Sequence, residues 1–369
     1  MKLIFAKDNL LNALGTVSKA IPSKTTNPIL ECILFDASSD SIKLTANDTE
    51  LGIETVVEGE IVEKGKIALD ARLTYEIIRK LEGADQPVTI ESSEDLSTVI
   101  SCADAVFNIQ GRDGEEFAYL PYIDRDHYIC LTQFTLRETI RQTIISAAMN
   151  DTNRMMGGMY IEVNGTNVRF VTLDGHRISI RNIEMKEDYG SAKVIVPGRT
   201  MNEISRIIGG DSDKDVLVYF TKNHILFSFD ETTVVSRLIE GEYFRIEHML
   251  SHDYETKVTV NKTRFLNSID RAMILIREND HKPIVLNIKD ESVGLQVRSS
   301  FGSMNAEIPC EKEGRDLMIA FNPKFLIDAL KVIDDETVDI YMTNAKSPCF
   351  IRDGKDSYIY LILPVNFIA

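Results

Sequence analysis

KLIFAKDNLLNALGTVSKA, Lys2–Ala20, is a short apolar strand followed by an amphipathic helix, and the chain repeats it. QFTLRETIRQTIISAAM from Gln133 and KVTVNKTRFLNSIDRAMIL from Lys257 read the same way. A second series interleaves with the first: GKIALDARLTYEIIRKLEG from Gly65, AKVIVPGRTMNEISRIIGG from Ala192 and RDLMIAFNPKFLIDALKVI from Arg315. The strand-turn-helix unit therefore recurs about six times, in three pairs of roughly 125 residues, far beyond the ~20–50 residues of a solenoid repeat. Repeats of that length are whole domains.

Outward from each unit the pattern changes to alternating apolar and polar residues, as in IKLTANDTELGIETVVEGEIV, VRFVTLDGHRISIRNIEM and VGLQVRSSFGSMNAEIP. Period-two alternation broken by turn residues predicts antiparallel strands with one buried face. Turn signals fall at Val163–Asn167, Thr221–His224 and Ile288–Ser292, where hairpins need them. Fresh strand-helix starts follow the segments Tyr119–Tyr128 and Glu247–Lys257. The expected fold is α+β, with three repeated domains at 1–125, 126–253 and 254–369, each with two helices on antiparallel sheets.

Composition narrows the function. Lys and Arg number 41 against 57 Asp and Glu, a formal net charge of −16. That balance opposes a simple nucleic-acid binder, whose phosphate contacts need cations, unless the cations gather on one surface. The helical segments do gather them. Lys7, Lys19 and Lys24 stand against Asp8, and Arg72, Arg79 and Lys80 against Glu76 and Glu82. Arg137 and Arg141 stand against Glu138, and Arg199 and Arg206 against Glu203. Lys262, Arg264, Arg271 and Arg277 stand against Asp270, and Lys324 and Lys331 against Asp328. An ordinary solvated face accounts for any one helix, but six agreeing helices in an acidic chain point to a surface that attracts a polyanion.

Cys32, Cys102, Cys130, Cys310 and Cys349 are scattered and never spaced as CxxC, as expected of free thiols in a reducing cytoplasm. The N-terminus does not read as a signal peptide, and no run approaches the ~20 apolar residues of a spanning helix. Catalytic patterns are lacking: no phosphate loop, no GxGxxG after a strand, no GxSxG. His248 and His252 are four apart without an HExxH context, so no metal site is expected. The one sharp motif is TLDGHRIS, Thr172–Ser179. Asp174-Gly175 is a hairpin dipeptide, and Gly175 would let backbone approach a ligand flanked by His176 and Arg177. The tail YLILPVNFIA, Tyr360–Ala369, is apolar where most termini are polar, so it needs a groove or a partner.

These features together resemble the bacterial DNA polymerase III beta subunits, the sliding clamps, along the full length. The resemblance rests on the threefold strand-helix repeat, TNPILECILFDA (Thr26–Ala37), TLDGHRIS, VIVPGRTMNEI (Val194–Ile204) and LILPVNF (Leu361–Phe367). It implies a non-catalytic processivity factor, the DNA-directed DNA polymerase activity belonging to its holoenzyme. Two chains would close head to tail into a cytoplasmic ring of six "DNA clamp" domains, with twelve helices around duplex DNA of any sequence and no cofactor or membrane. Implied partners are DNA polymerase III alpha or PolC-type subunits, clamp-loader subunits and other proteins carrying a clamp-binding peptide.

Carried over residue by residue, the resemblance implies a peptide pocket. Its members are Met156, Leu173, Gly175, His176, Arg177, Ile178, His248, Met249, Asn322, Phe325, Ile362, Leu363, Pro364, Val365 and Asn366. At Glu242–Leu250 this chain departs from a Pro-containing, Arg-rich segment and has His248 where Arg is common, which alters the polar rim. The matching DNA positions are Lys24, Arg72, Arg79, Asn150 and Arg199, and Phe107 and Ile109 of one protomer would meet Leu275 and Ile276 of its partner. Two other readings compete. One is a hydrolase using His176 as general base, which needs an oriented partner that the sequence does not offer. The other is a repeat scaffold, unrelated to DNA, that binds protein partners through the apolar C-terminal pocket.

Overall fold

A computed structural model describes residues 1–82, 86–148, 153–277 and 282–367. Its six α-helices are α1 (Lys7–Val17), α2 (Ala71–Lys80), α3 (Gln133–Thr143), α4 (Gly198–Ile207), α5 (Lys262–Met273) and α6 (Pro323–Val332). All six stand in the expected strand-helix units, with at most one residue between strand and helix. The residue at that junction often makes the cap. Asp70 accepts from the Leu73 amide at 2.7 Å, Asn261 from Arg264 at 3.0 Å and Asn322 from Lys324 at 3.0 Å. Each such cap is worth about 1 kcal/mol. Along α2, Thr74, Ile77 and Ile78 are buried while Arg72, Arg79 and Lys80 face out, as the 3.6-residue period demands.

Every strand pairing among the described residues is antiparallel, in sheets of five, eight and twelve strands. The five-stranded sheet runs Glu60–Glu63, Lys2–Phe5, Val88–Ser92, Ser97–Cys102, Ala105–Gln110. Each of the other two runs on from one repeat into the next. In the eight-stranded sheet Thr232–Arg237 of the middle repeat pairs with Leu51–Val57 of the first, in the register Val234↔Ile53. In the twelve-stranded sheet Arg177–Glu184 pairs with Tyr358–Ile362 of the last, in the register Ile180↔Ile359. The reason is the cost of an open edge: an unpaired row of amides and carbonyls is best closed by the neighbouring repeat.

The chain forms two compact units. One holds Met1–Arg137 and Glu203–Leu238, with Leu10, Leu14 and Val17 of α1 buried. Inside it Thr55 and Thr232 join hydroxyls at 2.9 Å across the shared sheet. The other holds Glu138–Asn202 and the residues from Ile239 onward. There Phe265, Ile269, Leu326 and Leu330 of α5 and α6 pack on Leu286, Leu295, Ile319 and Phe321. A second cluster joins Leu173, Ile178, Ile180, Ile246, Phe350, Ile359 and Leu361. The strand Tyr358–Ile362 lies between these two cores and is buried on both faces.

Candidate functional site

The site grows from the hairpin between the strands Asn167–Leu173 and Arg177–Glu184, whose last pair is Leu173↔Ile178. Asp174 Oδ1 accepts the amides of His176 at 3.0 Å and Arg177 at 3.1 Å, which closes the turn. Gly175 sits at φ +82° with open space around its missing side chain, so its conformation, not room, calls for glycine. Arg177 is then fixed from three directions. Its Nε donates to Asp174 Oδ2 at 2.9 Å, a terminal nitrogen donates to Asp328 Oδ2 of α6 at 2.7 Å, and the guanidinium lies 4.5 Å from the Phe325 ring centre. His176 stacks beside the same ring, centroids 6.1 Å apart. The apolar tail is strapped down through its backbone. Leu363 N donates to the His176 carbonyl at 2.8 Å and Val365 N to that of Ala320 at 2.9 Å.

Between hairpin, tail and the segment 244–249 opens a cleft of about 280 Å³. Its floor is Met156, Leu173, Gly175, Ile178, Phe244, Ile246, Met249, Leu361 and Leu363, and its polar members are His176, Arg177, Arg245 and His248. An apolar hollow with a few convergent polar groups is the form of a ligand site. Of the expected residues, Met156, Leu173, Gly175, His176, Arg177, Ile178, His248, Met249 and Leu363 lie together on its wall. Phe325 supports that wall from behind through His176 and Arg177, and Asn322 caps α6. Pro364, Val365 and Asn366 continue past the cleft without lining it. Ile362 is corrected: it packs in the core of α5 and α6 and does not line the cleft, because neighbours on a strand face opposite ways. Leu361 takes the place in the cleft.

Sequence reasoning missed Phe244, Arg245, Ile246 and Leu361. The spacing Leu361–Leu363 was the available signal for one of them. Tyr243 stacks flat on Tyr160, centroids 4.9 Å apart, and burial pushes its phenol well above the ordinary range.

The helical cations are put to several uses. Some hold helix ends. Lys7 donates to the Leu81 carbonyl at the end of α2, and Lys262 to that of Ile333 at the end of α6, at 2.6 Å. Arg137 donates to the Gly209 carbonyl at 3.1 Å. Cations suit these carbonyl-rich ends. Others meet carboxylates three residues back: Arg79 with Glu76 at 2.6 Å, Arg141 with Glu138 at 2.8 Å and Arg206 with Glu203 at 2.9 Å. The Arg79 hydrogen bond holds the Glu76 carboxyl below its ordinary range. Arg72, Arg79 and Arg199 are exposed on α2 and α4. Lys24 is exposed but lies beyond α1, which ends at Val17, and Asn150 lies outside the described residues.

Ala105–Gln110 is the edge of the five-stranded sheet, with Val106 61 % and Phe107 39 % exposed and Ile109 half-buried. Past α5 the polypeptide turns so that Leu275 and Ile276 pack partly against the core, while Ile274 stands 82 % exposed. Ile274 was not singled out from the sequence. Beside it in the chain, Arg277 lies over Phe301 at 4.3 Å. Among the described residues the five cysteines are unpaired, no helix is long and apolar enough to cross a membrane, and no His, Cys, Asp and Glu group is arranged to hold a metal.

Comparison with known proteins agrees with this architecture. Residues 1–121, 130–244 and 247–366 match, in order, the family models of the N-terminal, central and C-terminal domains of the DNA polymerase III beta subunit. A beta sliding clamp of Staphylococcus epidermidis is 32% identical over 377 aligned positions that cover 99% of each chain. The crystal structure of the Bacillus subtilis sliding clamp superposes with a TM-score of 0.95 at 31% identity over the whole of both chains. A crystal structure from Eubacterium rectale, described as a DNA polymerase III beta subunit, gives 0.96 at 57% identity, again over both entire chains. With three clamp domains matched in sequence order and relatives aligned from end to end, the chain belongs to the bacterial DNA polymerase III beta subunit family, the sliding clamps.

Proposed function

We propose that this chain tethers a replicative polymerase to duplex DNA by closing, with a second copy, into a ring of six domains. The domains are 1–125, 126–253 and 254–369. Phe107 and Ile109 of one protomer meet the turn at Ile274–Ile276 of its partner, a heterologous contact that closes when two copies complete the circle. Exposed cations of the helices face phosphates without reading bases, and Lys24, Arg72, Arg79, Asn150 and Arg199 are the proposed contacts.

The cleft of about 280 Å³ carries the rest of the reading. Its apolar floor suits the aliphatic and aromatic anchors of a short extended peptide, and Arg177, Arg245, His176 and His248 suit that peptide's polar and acidic groups. Polymerase and clamp-loader subunits are the proposed owners of such peptides. The ring does no chemistry of its own, and its place is the cytoplasm, where free thiols persist. His176 rests against Phe325, an arrangement for an apolar wall rather than for proton transfer.

The test is topological. Protein loaded onto nicked circular DNA by an ATP-driven loader should survive a high-salt wash, because salt screens contacts but cannot pass a strand through a closed interface. One cut in the circle should release it. Equal retention on circular and linearised DNA would refute the ring.

A further inference from the structure

α2, α4 and α6 share a triplet at one spacing: a cation, a carboxylate four residues on, and a second cation three further. It reads Arg72-Glu76-Arg79, Arg199-Glu203-Arg206 and Lys324-Asp328-Lys331. Offsets of four and three put all three side chains of a triplet on one helix face. In α2 and α4 the carboxylate takes the following arginine, Glu76 with Arg79 at 2.6 Å and Glu203 with Arg206 at 2.9 Å. In α6 the equivalent Asp328 is turned to Arg177 instead, at 2.7 Å. The shared spacing is therefore put to two uses: in α2 and α4 the carboxylate serves an arginine of its own helix, and in α6 it serves Arg177.

We propose that Glu76 and Glu203 act as built-in competitors of phosphate, holding Arg79 and Arg206 back so that the ring grips duplex DNA weakly; this rests on the sliding-clamp reading above. A guanidinium hydrogen-bonded to a carboxylate on its own helix presents little net charge. A phosphate that approaches its remaining N–H donors must do so beside that carboxylate, whose like charge reduces the gain on contact. Both arginines are more than half exposed, at 52% and 63%, and remain reachable. A ring that must slide profits from contacts that are numerous and shallow, and each internal carboxylate makes one contact shallower. Removing the carboxylates should then strengthen DNA binding.

The experiment compares the parent with Glu76→Gln/Glu203→Gln on linear duplex across a salt series. The charge-matched control, Glu94→Gln/Glu187→Gln, removes two exposed glutamates that lie outside the helices. Two released arginines per protomer should steepen the dependence of log affinity on log salt by up to about 1.8 per protomer and tighten binding at low salt about tenfold. The control should show neither change. Arg79→Ala/Arg206→Ala closes a cycle: its cost in DNA affinity should be several-fold smaller in the parent than in the glutamine background. Glu76→Gln alone, at a carboxylate that is half exposed, repeats the measurement should Glu203→Gln unfold the protein. A glutamine variant indistinguishable from the control, or arginine deletions of equal effect in both backgrounds, would overturn the proposal. If instead the parent itself is not retained on circular DNA, it is the ring that fails.

Discussion

Replacing Asp328 by Ala should cost peptide affinity without the residue ever touching the peptide. Arg177 is 11% exposed and is held by two carboxylates, Asp174 at 2.9 Å and Asp328 at 2.7 Å, over the face of Phe325. Taking away Asp328 leaves the guanidinium with one carboxylate and, on α6, only the face of Phe325. A hydrogen bond between charged groups is worth about 1.5–3 kcal/mol. Asp328 is 26% exposed, so water replaces part of that loss and the lower end applies, about 1.5 kcal/mol. If the freed Arg177 swings from the cleft wall, the same amount appears in binding as roughly a tenfold rise in Kd. Fluorescence anisotropy with a labelled clamp-binding peptide reads the affinity, and urea denaturation reads the fold. Asp328→Glu should recover most of the affinity, since the longer carboxylate can still reach Arg177. An unchanged Kd in a variant that has lost stability would mean that the pair only holds the fold and does not shape the cleft.

Two further outcomes follow from burial and exposure. Phe107→Asp or Ile274→Asp should give folded monomers by light scattering, because both side chains stand exposed and neither is needed for its own core; variants that stay dimeric at micromolar concentration would place the interface elsewhere. Burial pushes the phenols of Tyr243 and Tyr360 upward, so the folded state disfavours their ionised form. Their contribution is complete below the ordinary tyrosine range near pH 10 and is lost as pH rises toward the folded values, so the urea midpoint should fall above about pH 10. A midpoint that stays level to pH 11 would contradict that burial.

Much of the fold was legible because each unit changes period sharply, from apolar strand to amphipathic helix, and six such units align. The hairpin at Asp174–Gly175 was legible for the same local reason. The joining of sheets across repeats was not, since nothing within Leu51–Val57 or Thr232–Arg237 specifies its partner. Ile362 was misplaced because its strand is buried on both faces and offers no alternation to read. Phe244, Arg245 and Ile246 lie in a segment without regular structure, where no period marks a face. Lys7 and Lys262 counted as surface charge in the sequence, yet their amines end on helix carbonyls, a use that only the folded partner reveals.

The ladders that cross from repeat to repeat bear on how such a chain can be recombined. A graft that exchanged 126–253 between two relatives would cut Thr232–Arg237 from Leu51–Val57 and Arg177–Glu184 from Tyr358–Ile362. Each cut replaces a native seam by one between strangers, at strands whose side chains were fitted to each other. A mismatched seam leaves edges open to pairing with other molecules. Inheritance by whole repeats is thus discouraged at the middle one. Exchange of segments that keep both seams within one parent, such as the hairpin tips and the tail beyond Ile362, is left as the permissive route to new binding preferences.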